Sequence, residues 1–185
     1  MKNTKQKIAI ASVVALMIFS VISGLILPYM QNSSIETVDK NTAARDRVEI
    51  PDFEFQDRDG NTVNFDSFRG KPVVINFWGT WCPFCVMELA DFDKAAGEYG
   101  DKVNFLFLDA ENSEDVTEKD VLDYLADKGY ENINTYFDKP GYGMYMFGIN
   151  SFPATIYIDS EGYLFNAKVG MTDYNSIVEN IERML

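Results

Sequence analysis

The hydrophobic pattern divides the chain into one long apolar run, a polar stretch and a region of short alternating elements. No side chain in residues 8–27 is charged, and most are aliphatic. A helix needs roughly 20 apolar residues to cross a bilayer core, and this run supplies them. Lys2, Lys5 and Lys7 precede it and acidic residues follow, which predicts a cytoplasmic N-terminus. A cleaved signal peptide would carry an apolar region of roughly 7–15 residues and an A-x-A-like site. This run is longer and has no such site, so residues 1–30 read as an uncleaved signal anchor, a single transmembrane helix. Residues 31–47 are polar and without sustained period, a linker.

Residues 48–185 read as one α/β domain. Residues 49–55 and 62–65 form two short strands around the turn Asp59-Gly60, a hairpin. Residues 73–77 (VVINF) are nearly all apolar, as in a strand buried on both faces. After Cys82 the spacing turns helical, with Leu89, Phe92, Ala96 and Tyr99 three or four apart and Gly100 as the stop. Residues 103–108 (VNFLFL) give a second buried strand. Thr117 to Asp120 resembles a capping box, opening a helix with Val121, Leu122 and Leu125 inward and Gly129 at its end. A strand over 133–137 and a short helix over 142–147 follow. Residues 154–158 and 163–169 flank Ser160-Glu161-Gly162 as a hairpin. Asp173 caps a last helix carrying Ile177, Val178, Ile181 and Met184. Strands alternating with helices, then a hairpin and a helix, predict a central mixed sheet flanked by helices on both faces.

Charge and rare residues narrow the chemistry. The chain has 16 basic and 29 acidic residues, a net charge of −13, and every acid lies at Glu36 or beyond. Nucleic-acid binding rests on clustered positive charge, so that class is set aside. Histidine is absent, which removes Ser-His and Cys-His catalysis and imidazole metal ligands. The two cysteines, Cys82 and Cys85, cannot build a zinc ribbon or an iron–sulfur cluster within one chain, and no metal is expected.

The segment from Phe77 to Cys85 (FWGTWCPFC) joins the first buried strand to its helix, where sites form in open α/β sheets. Cys82 falls near the helix N-cap and Pro83 near the first helical position, which suits proline. Unpaired amides and the helix dipole stabilise a thiolate there, and such cysteines have pKa values of roughly 3.5–7.5 instead of about 8.5. Cys85 lies one turn further in, less exposed, and close enough to close a ring with Cys82. Cys82 is then the attacking thiol and Cys85 the resolving one. An inert stabilising disulfide is the weaker reading, because so small a loop removes little unfolded-state entropy.

Residues 74–88 (VINFWGTWCPFCVME) resemble the active-site stretch of the thioredoxin superfamily, nearest its membrane-anchored TlpA/ResA-type branch. Asn76, the Trp78-x-x-Trp81-Cys82 run, Glu88 three residues after Cys85, and Ser151-Phe152-Pro153-Ala154-Thr155 before a strand all match. The resemblance implies a thioredoxin fold over residues 48–185, with an N-terminal β-hairpin and an inserted helix near residues 116–129. It implies that Pro153, on sequence alone a strand-start proline, is cis and faces the dithiol. Pro83, Phe84 and Phe152 would then border the substrate groove, with Trp81 supporting the site. Phe152 reads equally as core. Asn76 stands where cytosolic thioredoxin has a buried Asp that assists the resolving thiol, and Asn cannot titrate. Glu88 is the best remaining carboxylate, weighed equally against a solvated helix face. Asp109 and Glu111 read as loop solvation.

These readings converge on an extracytoplasmic, membrane-tethered thiol–disulfide oxidoreductase. It would use no cofactor beyond the redox-active pair Cys82–Cys85. The branch implies a reductase, fed by a CcdA/DsbD-like membrane electron donor, whose clients are exported proteins with disulfides or thiols. Such clients include cytochrome-c apoproteins and methionine sulfoxide reductases. A disulfide-forming oxidase of the same fold, and a tethered non-catalytic binding module, are the alternatives.

Overall fold

A computed structural model describes residues 47–110, 116–139 and 141–185. The expected signal anchor over 1–30, nearly all of the linker, and Glu111 lie outside these residues. Among the described residues no helix is long and apolar enough to cross a membrane.

The chain runs β1 (Glu54–Gln56), β2 (Thr62–Asn64), a 3-10 turn (Phe65–Phe68), β3 (Val73–Trp78) and α1 (Pro83–Tyr99). It continues through β4 (Asn104–Asp109), α2 (Glu118–Lys128), β5 (Thr135–Phe137) and α3 (Tyr142–Phe147). The last elements are β6 (Ala154–Ile158), β7 (Leu164–Val169) and α4 (Tyr174–Met184). One mixed sheet holds all seven strands in the order β2-β1-β5-β4-β3-β6-β7. Strands β3, β4 and β5 are parallel neighbours; β6 lies antiparallel to β3, and β7 to β6.

The pleat sorts the core into two layers. Val74 and Trp78 of β3, Phe105 and Phe107 of β4 and Tyr157 of β6 face a layer filled by α1, α2 and α4. Ile75, Phe77, Leu106, Leu108 and Ile156 face the opposite layer, filled by Phe53, Phe55, Phe65 and the α3 region. Every residue of β3 is buried, as its unbroken apolar run requires. The inserted helix α2 opens on a complete capping box. Asp120 N–H donates to Thr117 Oγ1, and Thr117 N–H donates to Asp120 Oδ2 at 2.8 Å. Gly129 closes it at φ 72°, a left-handed conformation that glycine adopts without a Cβ penalty.

The structure corrects the sequence reading in three places. The strand expected over 49–55 is split: Ile50 N–H bonds Gly162 O and Glu49 bridges Tyr163, while only Glu54–Gln56 joins the main sheet. Pro51, with no N–H to give a ladder, falls at the break. The strand expected over 133–137 begins at Thr135, although Ile133 is in the core. Asp109 is not loop solvation, because it ends β4, pairs with Trp78 and is buried.

Candidate active site

The register of β3 against β6 builds the site. Phe77 pairs with Ala154, so the chain leaving β3 toward Cys82 and the chain entering β6 through Pro153 emerge at the same sheet end. The Phe152–Pro153 peptide bond is cis. Gly170 N–H donates to Pro153 O at 2.8 Å, which brings the loop after β7 to the same place.

Between β3 and α1 the chain turns tightly. Cys82 N–H donates to Gly79 O at 3.1 Å. A Cβ at Gly79 would sit 2.5 Å from Trp81 Nε1, so only glycine lets the indole lie over this turn. Cys82 is the N-cap of α1 and Pro83 follows at its first position. Cys82 and Cys85 form a disulfide with Cα atoms 5.2 Å apart. Cys85 N–H donates to Cys82 Sγ at 3.2 Å, the contact that would stabilise a thiolate on Cys82. In this oxidised state Cys82 is 4% exposed and Cys85 fully buried, so Cys82 is far less open than the sequence suggests. The exposed surface around the pair is aromatic and apolar. Trp81 is 53% exposed and Phe84 59%, and Pro83 and Met87 are also exposed. The Trp81 ring meets Phe152 edge-on at 5.3 Å. Phe152 is half-buried and packs on both core layers, so it is both rim and core.

Glu88 is not a solvated helix face; it is 1% exposed. It lies three residues after Cys85, and such positions on a helix are neighbours, with Cβ atoms about 5–6 Å apart. Its Oε1 accepts from Asn76 Nδ2 at 2.8 Å and its Oε2 from Thr172 N–H at 2.8 Å. Asn76 Nδ2 also reaches Thr155 Oγ1 at 3.3 Å, across the strand pair that sets Asn76 opposite Thr155. Asn76 Oδ1 has no hydrogen-bond partner among the described residues. Burial pushes the Glu88 carboxyl up from 4.5 to about 7, against the two donated bonds and with a small push from Asp91. A carboxyl that titrates near neutrality, one turn behind the resolving thiol, can hold or release a proton at working pH.

The sequence carried a signal for Glu88. It is three residues after Cys85 and four before Phe92, inside the buried stripe of α1. Thr172 had no such signal, because its contact with Glu88 spans 84 positions. Among the described residues no three His, Cys, Asp or Glu side chains gather as a metal site.

A dithiol pair on the first turn of a helix, beside a proline loop in a mixed sheet, defines a thioredoxin-like thiol–disulfide oxidoreductase. Residues 47–166 match the AhpC/TSA family, and the chain belongs to it. It is 28% identical over 143 residues to the thiol-disulfide oxidoreductase ResA of Bacillus thuringiensis subsp. konkukian (strain 97-27), covering 74% of this chain and 76% of that one. It is 28% identical over 131 residues to the thioredoxin-like protein YneN of Bacillus subtilis (strain 168), covering 71% and 75%. Among solved structures, the exposed lipoprotein thioredoxin Etrx1 of Streptococcus pneumoniae strain TIGR4 aligns at a TM-score of 0.63 and 28% identity, covering 72% of this chain and 99% of that one. StoA from Bacillus subtilis shares the fold at a TM-score of 0.61 and 21% identity, covering 71% and 96%.

Proposed function

We propose that the chain is a membrane-tethered reductase of protein disulfides, anchored by residues 1–30 with its thioredoxin-like domain outside the cytoplasm. The observation that carries the redox assignment is the Cys82–Cys85 pair at the start of α1 with the buried Glu88 behind it. Reduced Cys82 attacks a client disulfide, forms a mixed disulfide and releases one client sulfur as a thiolate. Glu88 takes the proton of the Cys85 thiol. The Cys85 thiolate then attacks Cys82 Sγ, closes the Cys82–Cys85 bond and expels the second client sulfur. Two electrons pass from the dithiol to the client, and a CcdA/DsbD-like membrane donor returns them. No cofactor beyond the cysteine pair takes part. Pro153 and the Phe152 backbone align the client, while Trp81, Pro83 and Phe84 contact it.

The reductive direction is supported by the carboxylate. Stabilising the thiolate form makes a dithiol pair a stronger oxidant. Glu88, when ionised, places negative charge beside the pair and works against that form. The potential is therefore expected nearer the roughly −270 mV of thioredoxin than the roughly −120 mV of a strong oxidant. Equilibration with glutathione measures it, and a value near the oxidant end would favour the disulfide-forming alternative. Cys85→Ser in the full chain should trap clients on Cys82 in the membrane fraction, and Cys82→Ser should not. Equal trapping by both variants would refute the division of labour.

A further inference from the structure

We infer that Trp81 and Phe152 form a lid over the oxidised Cys82–Cys85 pair, which slows small thiols and opens for a thiol carried on an apolar protein segment. This rests on the reductase reading above and names the class of thiol that recharges the pair.

Access to the disulfide runs through one sulfur. Cys85 is fully buried, so an attacking thiolate must come to Cys82. Cys82 caps α1 and stands between Trp81 and Pro83, both exposed, yet it is itself buried. The Trp81 indole nitrogen lies over Gly79, and its ring meets Phe152 edge-on at 5.3 Å. Trp81 belongs to the turn that leaves β3 and Phe152 to the loop that enters β6. The Phe77–Ala154 pairing brings both to one sheet end, so the indole reaches from one side of the site to the other. Phe152 packs on both core layers and is anchored. Trp81 is half exposed, so the indole is the part that swings.

Charge does not choose the thiol at this mouth. No residue in 72–87, 148–158 or 169–172 is charged, although the chain carries a net charge of −13. Exposed apolar groups continue from the lid, with Phe84 and Met87 on α1 and Val169 and Met171 after β7. The Thr172–Glu88 bond sets Met171 and Met87, the residues before each partner, along one seam. Opening the lid breaks an aromatic pair, which holds the closed form by up to about tenfold. A small polar thiol brings nothing to replace that contact and reacts only with the open fraction. An apolar segment offers its own side chains to the two rings and covers the rim. It binds the open form better and shifts the population toward it. The incoming thiolate then bonds to Cys82 Sγ, the bond between the two sulfurs breaks, and Cys85 leaves as a thiolate and takes up a proton. A second donor thiolate attacks the donor sulfur of the mixed disulfide and releases the Cys82 thiolate. Two electrons pass from the donor's two thiols to the pair.

Three uncharged thiols test the lid on the oxidised full-length protein. They are mercaptoethanol and two end-blocked tripeptides, with cysteine between two serines or between leucine and phenylalanine. Acid quenching and alkylation time the loss of the disulfide, and each rate is scaled to that thiol's rate with Ellman's reagent. The leucine–phenylalanine peptide should react about tenfold faster than the other two. Gly79→Ala keeps both rings and puts a Cβ 2.5 Å from the indole nitrogen, displacing the lid. Gly79 has no positive φ, so its backbone does not forbid alanine. Trp81→Ala removes the lid. Both variants should speed the two small polar thiols about fivefold to tenfold, and Trp81→Ala should cut the preference between the peptides to about twofold or less. Equal wild-type rates for all three thiols, alongside normal insulin reduction, would overturn the lid and leave the reductase standing. Small-thiol rates unchanged in both variants would also overturn it. Equal acceleration of all three thiols would mark loosened packing and overturn it too. A wild-type disulfide that no thiol reduces would remove the redox reading itself.

Discussion

Glu88 and Asp138 are both 1% exposed, and burial lifts both carboxyls above their ordinary range. Their surroundings differ. Asp138 accepts from Gly143 N–H at 3.1 Å and Met144 N–H at 2.8 Å, amides at the start of α3 that have no helical partner of their own. Both oxygens are held by backbone that cannot turn. Glu88 has one backbone donor, and its second comes from a side-chain amide. Turning the Asn76 amide about χ2 would present Oδ1, which has no described partner, to a protonated Glu88. One carboxylate is met only by backbone donors, which oppose the push of burial and tie it to the start of a helix. The other has partners for either form and stands beside a thiol. Burial alone does not assign a role to an acidic residue; the groups it faces do.

The largest effect should come from Glu88→Gln, which keeps the shape and cannot take a proton. Resolution of mixed disulfides at neutral pH should slow by about 10²-fold, the lower end for a positioned acid–base group. The rise of rate with pH centred near 7 should disappear. Rapid-mix kinetics would decide, and an unchanged profile would reduce Glu88 to the same structural class as Asp138.

A second measurement uses stability. The Glu88 carboxyl is raised in the folded state, so the native protein holds a proton that the unfolded chain gives up. Its contribution is full below about pH 4.5 and is lost as pH rises through 7. The span is about 3 kcal/mol, at 1.36 kcal/mol per unit. Denaturation of the oxidised protein at pH 5 and pH 8.5 should therefore show wild type losing about 2–3 kcal/mol more than Glu88→Gln. Asp138 is common to both proteins and cancels. Parallel losses would show that Glu88 is not the raised group.

Asp138→Asn sharpens the contrast from the other side. Asn leaves one oxygen to accept and turns an amide toward the second N–H donor. The cost should be about 1–3 kcal/mol of stability. Resolution rate and its pH profile, measured on the folded fraction, should not move. A shifted profile in this variant would exchange the roles of the two carboxylates.

Much of this architecture is legible in local pattern. The apolar runs of β3 and β4, the Thr117–Asp120 capping box and the Asp173 cap are short-range signals, and each sits where its residues dictate. The dithiol was equally plain, since two cysteines at a strand–helix junction leave few other readings. The nest behind it was half legible. Val74, Asn76 and Trp78 alternate onto one face of β3, and Glu88 lies in the buried stripe of α1, so their meeting follows from two periodicities. Thr172 and Asp138 were not legible. Their contacts depend on where loops land after the sheet closes, and no spacing along the chain records that. Tyr157 was passed over as one residue of the strand over 154–158, although a hydroxyl in a fully buried strand asks for a partner.

The smallest expected effect belongs to the rim, and it separates binding from proton transfer. Phe84 is on the first turn of α1 and 59% exposed, so its ring stabilises the free protein little. If it contacts the client, burial on docking should contribute about 1 kcal/mol, given roughly 25 cal/mol per Å² of apolar surface. Phe84→Ala should therefore raise KM for a protein client about fivefold. The kcat should stay unchanged, because the ring touches neither Glu88 nor its partners Asn76 and Thr172. Reduction of insulin and of a small disulfide by the same variant gives the test. The loss should appear with the protein client alone, since a small disulfide covers none of the rim. A fall in kcat with both substrates would mean that Phe84 holds the α1 start and the Cys82 cap in place. The boundary between a surface that selects clients and an interior that moves protons would then have to be drawn deeper, at Cys85.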